Sequence, residues 1–484
     1  MDKILGFSPD AEATTAGIMT ACTNMVPYDN GMMSAPTGLS ATGVPVLGAA
    51  CTGAVVATKL DDTRRVFAGT TTKLYELLLG SWSDASRVGD YTGGVDARWS
   101  FAQFGDATLA SNGVEAIQRS LSTGDFADIA GAPKAKIIFS VGAFVMALNT
   151  NDGAVKTDGW HCCASFDDSD WTPDIATLAT SGRLVSSAGA ITAGARLGEY
   201  AIAYKEKAIY VGQFVGAPAV WDWLQVPGGE AGCVGQDALT DIGGAHFVVG
   251  KDNIWIFDGS RPVPIADGQV RQWFFDNAAP SYLYKTKCIF NRQTNLVWVF
   301  YCSLNSTTPD TALVYHVKTK QWGKVSLPVE AVVDYIESGG TIDGMAAVIP
   351  TIDGWSVVSF DSPYWTSGAR TLAYFDTSHQ LKSLVGASVD SSFSTGHAGY
   401  DDTVTLLSKI RLRFAPGYKP TTAVVTTYST MTEGDAMTER ATGSLNDGKF
   451  DVLQAARFHR ADFSFTGDVR VVGISASLKH QGNN

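Results

Sequence analysis

The stretch GGAHFVVGKDNIWIFDGSRPVPI (residues 243–265) spells out a complete β-hairpin, and looser copies of it recur along most of the chain. His246–Val249 is an apolar run, the Gly-Lys-Asp-Asn of residues 250–253 interrupts it, Ile254–Phe257 is a second run, and Asp258-Gly259 ends it. Short runs rich in Val, Ile, Phe, Tyr and Trp between turn formers mark antiparallel pairs. Gly, Asn and Asp accept the backbone angles of tight turns, and β-branched side chains fit a pleated surface. The same pattern returns at 64–82, around a Gly-Thr break, at 97–113, turning at Gly105-Asp106, and at 135–153, turning at Gly142. It returns again at 199–212 (turn 205–207), 285–303 (turn 291–295), 311–328 (turn 318–320) and 344–361 (turn Asp353-Gly354).

The leading hairpins follow one another at about 40 to 60 residues, which is the spacing of propeller blades with three or four strands each. One small antiparallel sheet buries too little alone. Stacking such sheets about an axis gives each two apolar neighbours and shields its edges. The runs are largely continuous rather than alternating, as strands covered on both faces require. Fifty glycines and a charged fraction of only 17% agree with a turn-rich β protein. The pattern predicts an all-β fold with a β-propeller of about six blades over residues 46–385, a series of two-sheet sandwiches being the rival arrangement. Residues 1–45 show little periodicity and predict an extended N-terminal arm. From residue 386 the texture changes, as in Ile410-Arg411-Leu412-Arg413-Phe414. That alternation implies a sheet with one wet face and predicts a separate C-terminal β-domain, sandwich-like, over 386–484. One short helix is expected, at 269–278.

A formal charge of −12 argues against general nucleic-acid binding, which runs on Lys and Arg displacing counterions from phosphates. It is compatible with a channel through which DNA passes without sticking. It also argues against adhesion to an anionic membrane. Seven cysteines, an odd number without regular spacing, do not suggest a disulfide framework and point to folding in a reducing cytoplasm. The first residues carry no sustained apolar core of a signal peptide, and no apolar run approaches the length of a membrane span, so a soluble protein is expected.

Chemistry-bearing motifs are sparse. Phosphate-binding loops, dinucleotide fingerprints, H-E-x-x-H and C-x-x-C are absent from the sequence. Gly38-Leu39-Ser40-Ala41-Thr42 approaches a serine nucleophile elbow but lacks the final glycine. His161-Cys162-Cys163 invites a zinc reading; adjacent cysteines on a strand point to opposite faces, so buried structural thiols are the better account. In DDSDWTPD (167–174), Asp168 and Asp170 take the first and third places of a calcium loop, yet Pro173 stands where glycine is needed, which favours a solvated turn. Forty-eight acids allow no glycosidase pair to be singled out. The histidines at 161, 246, 316, 379, 397, 459 and 480 show no ligand spacing, and His246 and His316 sit inside apolar runs. Residues 409–413 and 457–460 are basic; solvated faces are favoured there over a phosphate-contacting surface. Twelve tryptophans are accounted for by blade packing before a glycan platform is needed. No catalytic, cofactor-binding or metal-ligating residue is assigned.

The order of these patterns carries a resemblance. FDDSDWTPDIATLATSGRLVSSAGAITAGARLGEYAIAYKEKAIYVGQFVGAPAVWDWLQV (166–226) leads into GCVGQDALTDIGGAHFVVGKDNIWIFDGSRPVPI. Together with KLYELLLGSWSDASRVGDYTGG (73–94), WSFAQFGDATLASNG (99–113), TACTNMVPYDNGMMSAPTG (20–38) and NDGKFDVLQAARFHRADFSFTGDVRVVG (446–473), it resembles tail nozzle proteins of short-tailed bacteriophages, also called packaged-DNA stabilisation or tail hub proteins. The resemblance spans nearly the whole chain and rests on strand and turn patterns, with no catalytic signature among them. It implies a non-enzymatic virion structural protein of the tail, synthesised and assembled in the host cytoplasm. Its implied partners are five further copies in a hexameric ring, a portal and adaptor ring above, tail fibres or spikes, and double-stranded DNA passing through the lumen without sequence-specific binding. No cofactor and no membrane anchor are implied. The alternatives are a lectin-like receptor-binding tail protein and a propeller glycan hydrolase.

Overall fold

The computed structural model describes residues 2–40, 44–78, 80–94, 96–227, 230–336 and 370–483. The hairpin expected at 344–361 lies outside the described residues. Strand makes up 54% of the chain and helix 3%, so the fold is all-β.

Each quoted hairpin within the described residues folds as a pair of neighbouring strands. In the motif at 243–265, His246 pairs with Phe257 and Val249 with Ile254, and the Gly250 N–H closes the turn on the Asn253 carbonyl at 2.8 Å. All four residues of His246–Val249 are buried, as a continuous apolar run demands of a strand covered on both faces. The turns at Gly105 and Gly142 hold φ of 56° and 54°, a left-handed conformation that glycine adopts without a Cβ penalty.

These hairpins build a β-propeller. Six four-stranded sheets are self-contained: residues 53–84, 100–128, 134–183, 191–225, 239–264, and the sheet of 331–383 completed by Leu39–Ser40. They correspond to the expected blades. A further four-strand meander, residues 287–326, lies in the ring between the last two of these sheets and continues into a larger sheet. In chain order the seven positions are blades one to seven, their first strands beginning at residues 53, 100, 134, 191, 239, 287 and 331. First strands pack on each other from blade one to blade four and from blade five to blade seven, and Ala331–Ile336 returns to Gly53–Thr58 to close the circle. Blades four and five are tied by Tyr204, whose hydroxyl lies 2.8 Å from His246 Nδ1.

The first forty residues are woven through the rest. Met25–Tyr28 adds to the outer strand of blade six through Lys324 opposite Met25, and Gly31–Ser34 pairs with Met25–Tyr28. Gly31–Ser34 also joins Arg470–Asn483, which pairs with Thr403–Phe414, which in turn pairs with Phe450–Ala456. Nine strands thereby run from the propeller into the C-terminal module, and Asp2–Lys3, paired with Arg470–Asn483, is the tenth strand of the sheet. Ile18–Thr23 enters the opposing sheet beside Ser391–Thr395, followed by Phe458–Thr466, Thr422–Thr430 and Thr438–Ser444. The two sheets face each other over Phe393, Leu412, Val425, Phe450, Phe463 and Phe465, a sandwich-like arrangement. That apolar cluster is continuous with Phe247, Tyr315 and Trp322 of blades five and six. The alternation in 410–414 is realised: Ile410 and Leu412 are buried, while Arg411 and Arg413 are exposed. Leu39–Ser40 supplies the outer strand of blade seven by pairing with Leu381–Ser383. The helix occupies Arg271–Asn277, inside the expected window.

Candidate functional site

A propeller offers its axis as a site, and here small residues bring the first strands together. A Cβ on Gly53 would sit 2.7 Å from the Trp99 carbonyl oxygen, and one on Gly194 would sit 2.3 Å from Leu148 Cδ1. The cavity that remains measures about 380 Å³. It is lined by first strands of blades one, four, five, six and seven, with Trp99 from the lead into blade two. Two ion pairs face it. Lys287 Nζ, its side chain only 3% exposed, donates to Asp237 Oδ2 at 2.8 Å, and Arg370 Nη1 donates to Asp334 Oδ2 at 3.0 Å. Gln236, also in the lining, has a buried Oε1 without a hydrogen-bond partner in the protein. The opposite charges compensate, and the lining holds no histidine. This chemistry suits water or a small polar solute. The sequence did not single out these residues, because each pair joins positions far apart in the chain: 237 with 287, and 334 with 370. The available signal was indirect, namely that every blade's first strand must face the axis.

The residues that looked chemical in sequence have structural surroundings. Asp168 is buried and forms an ion pair with Arg119 at 2.8 Å, linking blades two and three. Burial raises its pKa, and the Arg119 charge works in the opposite direction. Asp167, Asp170 and Asp174 accept from the backbone N–H groups of Ser169, Thr172 and Ala176, each at 2.9 Å. Such bonds are the signature of Asx turns. Beneath them Trp171 is buried, and His161 Nε2–H donates to its carbonyl at 2.8 Å. Cys162 and Cys163 are buried, their thiols pushed up by burial to about 11 and about 12. All seven cysteines are free and buried. Leu39–Ser40, from the serine-elbow approximation, lies in a sheet, while Ala41 and Thr42 fall outside the described residues.

His246 donates from Nε2 to the Arg196 carbonyl at 2.9 Å and is held neutral by burial. His316 accepts the Thr319 N–H on Nδ1 at 3.0 Å, which leaves Nε2–H to face Asp29 at 3.3 Å. Among the described residues no group of three or more His, Cys, Asp or Glu side chains is arranged to hold a metal, and no helix is long and apolar enough to cross a membrane. None of the described tryptophans is exposed. No protein-family model matches the chain, and no curated protein matches it either.

Proposed function

We propose that the chain is a structural subunit of a short-tailed phage tail. Six copies form a nozzle or hub ring below the portal and adaptor. The ring extends the DNA channel, retains packaged DNA and carries fibres or spikes, and no chemical step is catalysed. The observation that carries this reading is the ten-stranded sheet running without a break from blade six through the N-terminal strands into the sandwich. A hinge is thereby replaced by backbone hydrogen bonds and a shared apolar core, which suits a part whose task is to hold shape under load.

The axial cavity supports the same reading by exclusion. A space of 380 Å³ is equivalent to a sphere roughly 9 Å across, narrower than the major groove of a duplex at about 12 Å. DNA would pass between subunits, and each propeller would be a filled wall. A head-to-tail contact that closes on itself gives such a ring. The acidic balance of −12 opposes phosphate contact over most of that wall, within a Debye length of about 8–10 Å.

Mass photometry of the purified protein, followed by electron microscopy with the portal and adaptor co-expressed, tests the proposal. The expected particle has six times the 51.3 kDa chain mass and sits in line with the portal. A persistent monomer that leaves the portal–adaptor complex unoccupied overturns it. So does glycan binding or cleavage by that monomer, which would support the lectin-like or hydrolase alternative.

A further inference from the structure

The outward face of the C-terminal sheet departs from the charge of the rest. Residues 386–484 carry ten basic and ten acidic side chains, so the whole excess of acid lies in the arm and propeller. Within this module Lys409, Arg411 and Arg413 are all exposed, alternating with buried Ile410 and Leu412 on one strand. The neighbouring strand sets Ser477 beside Lys409, Ser475 beside Arg411 and Gly473 beside Arg413, while Lys479 stands opposite Leu406. Paired residues of a ladder share a face, so three cations, two hydroxyls and a fourth cation lie together. Lys409, Arg411 and Arg413 form no ion pair among the described residues. The nearest acid on this face, Asp451 opposite Lys409, is held by Lys449 at 2.9 Å.

We infer that this face contacts the phosphate backbone of a nucleic-acid duplex without reading its sequence. The inference deepens the ring reading, in which this surface would be the part of the subunit turned to the DNA. Alternate residues on a strand are about 6.8 Å apart, so Lys409, Arg411 and Arg413 present a row of positive charge roughly 14 Å long to a polyanion that carries one phosphate per about 3.4 Å of rise on each strand. A protein partner is the poorer fit, because protein interfaces centre on apolar and aromatic groups and deplete charge there. Here the centre is Arg411, and the exposed apolar residue Leu453 lies on the outermost strand. No helix occurs among the described residues of this module and the three cations stand on a strand, which favours phosphate contact over base readout.

The test is fluorescence anisotropy of a short random-sequence DNA duplex, titrated across low to moderate salt, with mass photometry of the same samples. The wild-type chain is expected to bind with a log–log salt slope of about −3.6, one factor of about −0.9 for the phosphate neutralised by each of the four cations. Lys409→Thr/Arg411→Thr/Arg413→Thr, which keeps good strand formers at exposed positions, is expected to weaken binding at least tenfold and to flatten the slope to about −0.9, the share of Lys479. Arg411→Lys/Arg413→Lys is expected to retain the slope, and Arg292→Thr/Lys318→Thr/Lys320→Thr in blade six to change nothing. Absence of duplex binding at low salt overturns the inference, as does an unchanged slope in the first triple variant. Binding of poly-L-glutamate in place of DNA also overturns it, in favour of an acidic protein partner. Because the duplex assay does not require a hexamer, a failed ring and a failed contact give different results.

Discussion

Removing Glu76 should destabilise the joint between blades one and two by about 3–5 kcal/mol. Arg65 and Glu76 are each 7% exposed. The guanidinium uses all five of its N–H groups. Nε and Nη2 donate to the two Glu76 oxygens at 2.6 and 2.8 Å. Nη1 donates to Ser120 Oγ at 2.8 Å and the Leu121 carbonyl at 2.6 Å, and Nη2 also donates to the Gly124 carbonyl at 2.8 Å. Glu76→Leu leaves a buried cation with two unsatisfied donors. Arg65→Met leaves a buried carboxylate and takes the donor away from three acceptors of blade two. Each unsatisfied buried group costs about 1–3 kcal/mol, more when charged, so the arginine variant should be the worse, at about 4–5 kcal/mol. Arg65→Met/Glu76→Leu places two apolar side chains in contact and should cost about 2–3 kcal/mol less than the sum of the singles. Urea denaturation followed by tryptophan fluorescence reads this cycle, since Trp99 packs in the same cluster as Phe67. Single variants that each cost under about 1 kcal/mol, or strict additivity, would refute the account.

Acid should weaken the fold through its buried histidines. Burial holds His246, His161 and His459 neutral with lowered pKa values, whereas the unfolded chain protonates near 6.5. Stability is therefore full above about 6.5 and lost as pH falls below it, by up to about 1.4 kcal/mol per pH unit for each histidine. Denaturation midpoints that stay flat from pH 7 to 5.5 would contradict this, and His246→Gln should reduce the slope. Thiol titration should find almost no reactive cysteine in the native protein and all seven in denaturant, because every thiol is buried and the burial raises its pKa. Residues 386–484 expressed alone should fail to give a folded monomer by circular dichroism and proteolysis, since both sheets lack the strands supplied by 18–34; a stable fragment would be the contrary result. Gly17→Ala should destabilise by more than about 1 kcal/mol in the same urea assay, because φ there is 84° and the added Cβ would meet the Lys3 carbonyl oxygen at 2.1 Å.

Local pairing was the part legible in the sequence. His246–Val249 and Ile254–Phe257 are strands with the bounds their apolar runs suggest, and Ile410 and Leu412 alternate with Arg411 and Arg413 as period two requires. Long-range placement was not legible. Nothing in MVPY at residues 25–28 marks it as the strand that joins blade six to the sandwich, because edge pairing uses backbone groups common to every residue. The axial ion pairs were hidden for the same reason: Lys287 and Asp237 become neighbours only when two blades converge. DDSDWTPD, which looked most like a ligand loop, is explained by Trp171 needing a buried seat and by Asp side chains capping their own turns.

The weaving of the first forty residues sets a timetable for biogenesis. Met32 and Met33 find their ladder partners at Val471 and Arg470, so the chain must be synthesised through residue 471 before that seam can close. Loop closure over such a distance is slow, and nascent chains otherwise settle from their N-terminus first. A truncated translation product would therefore carry blades without the latch that unites them. Until residue 471 is made, propeller and sandwich remain unjoined.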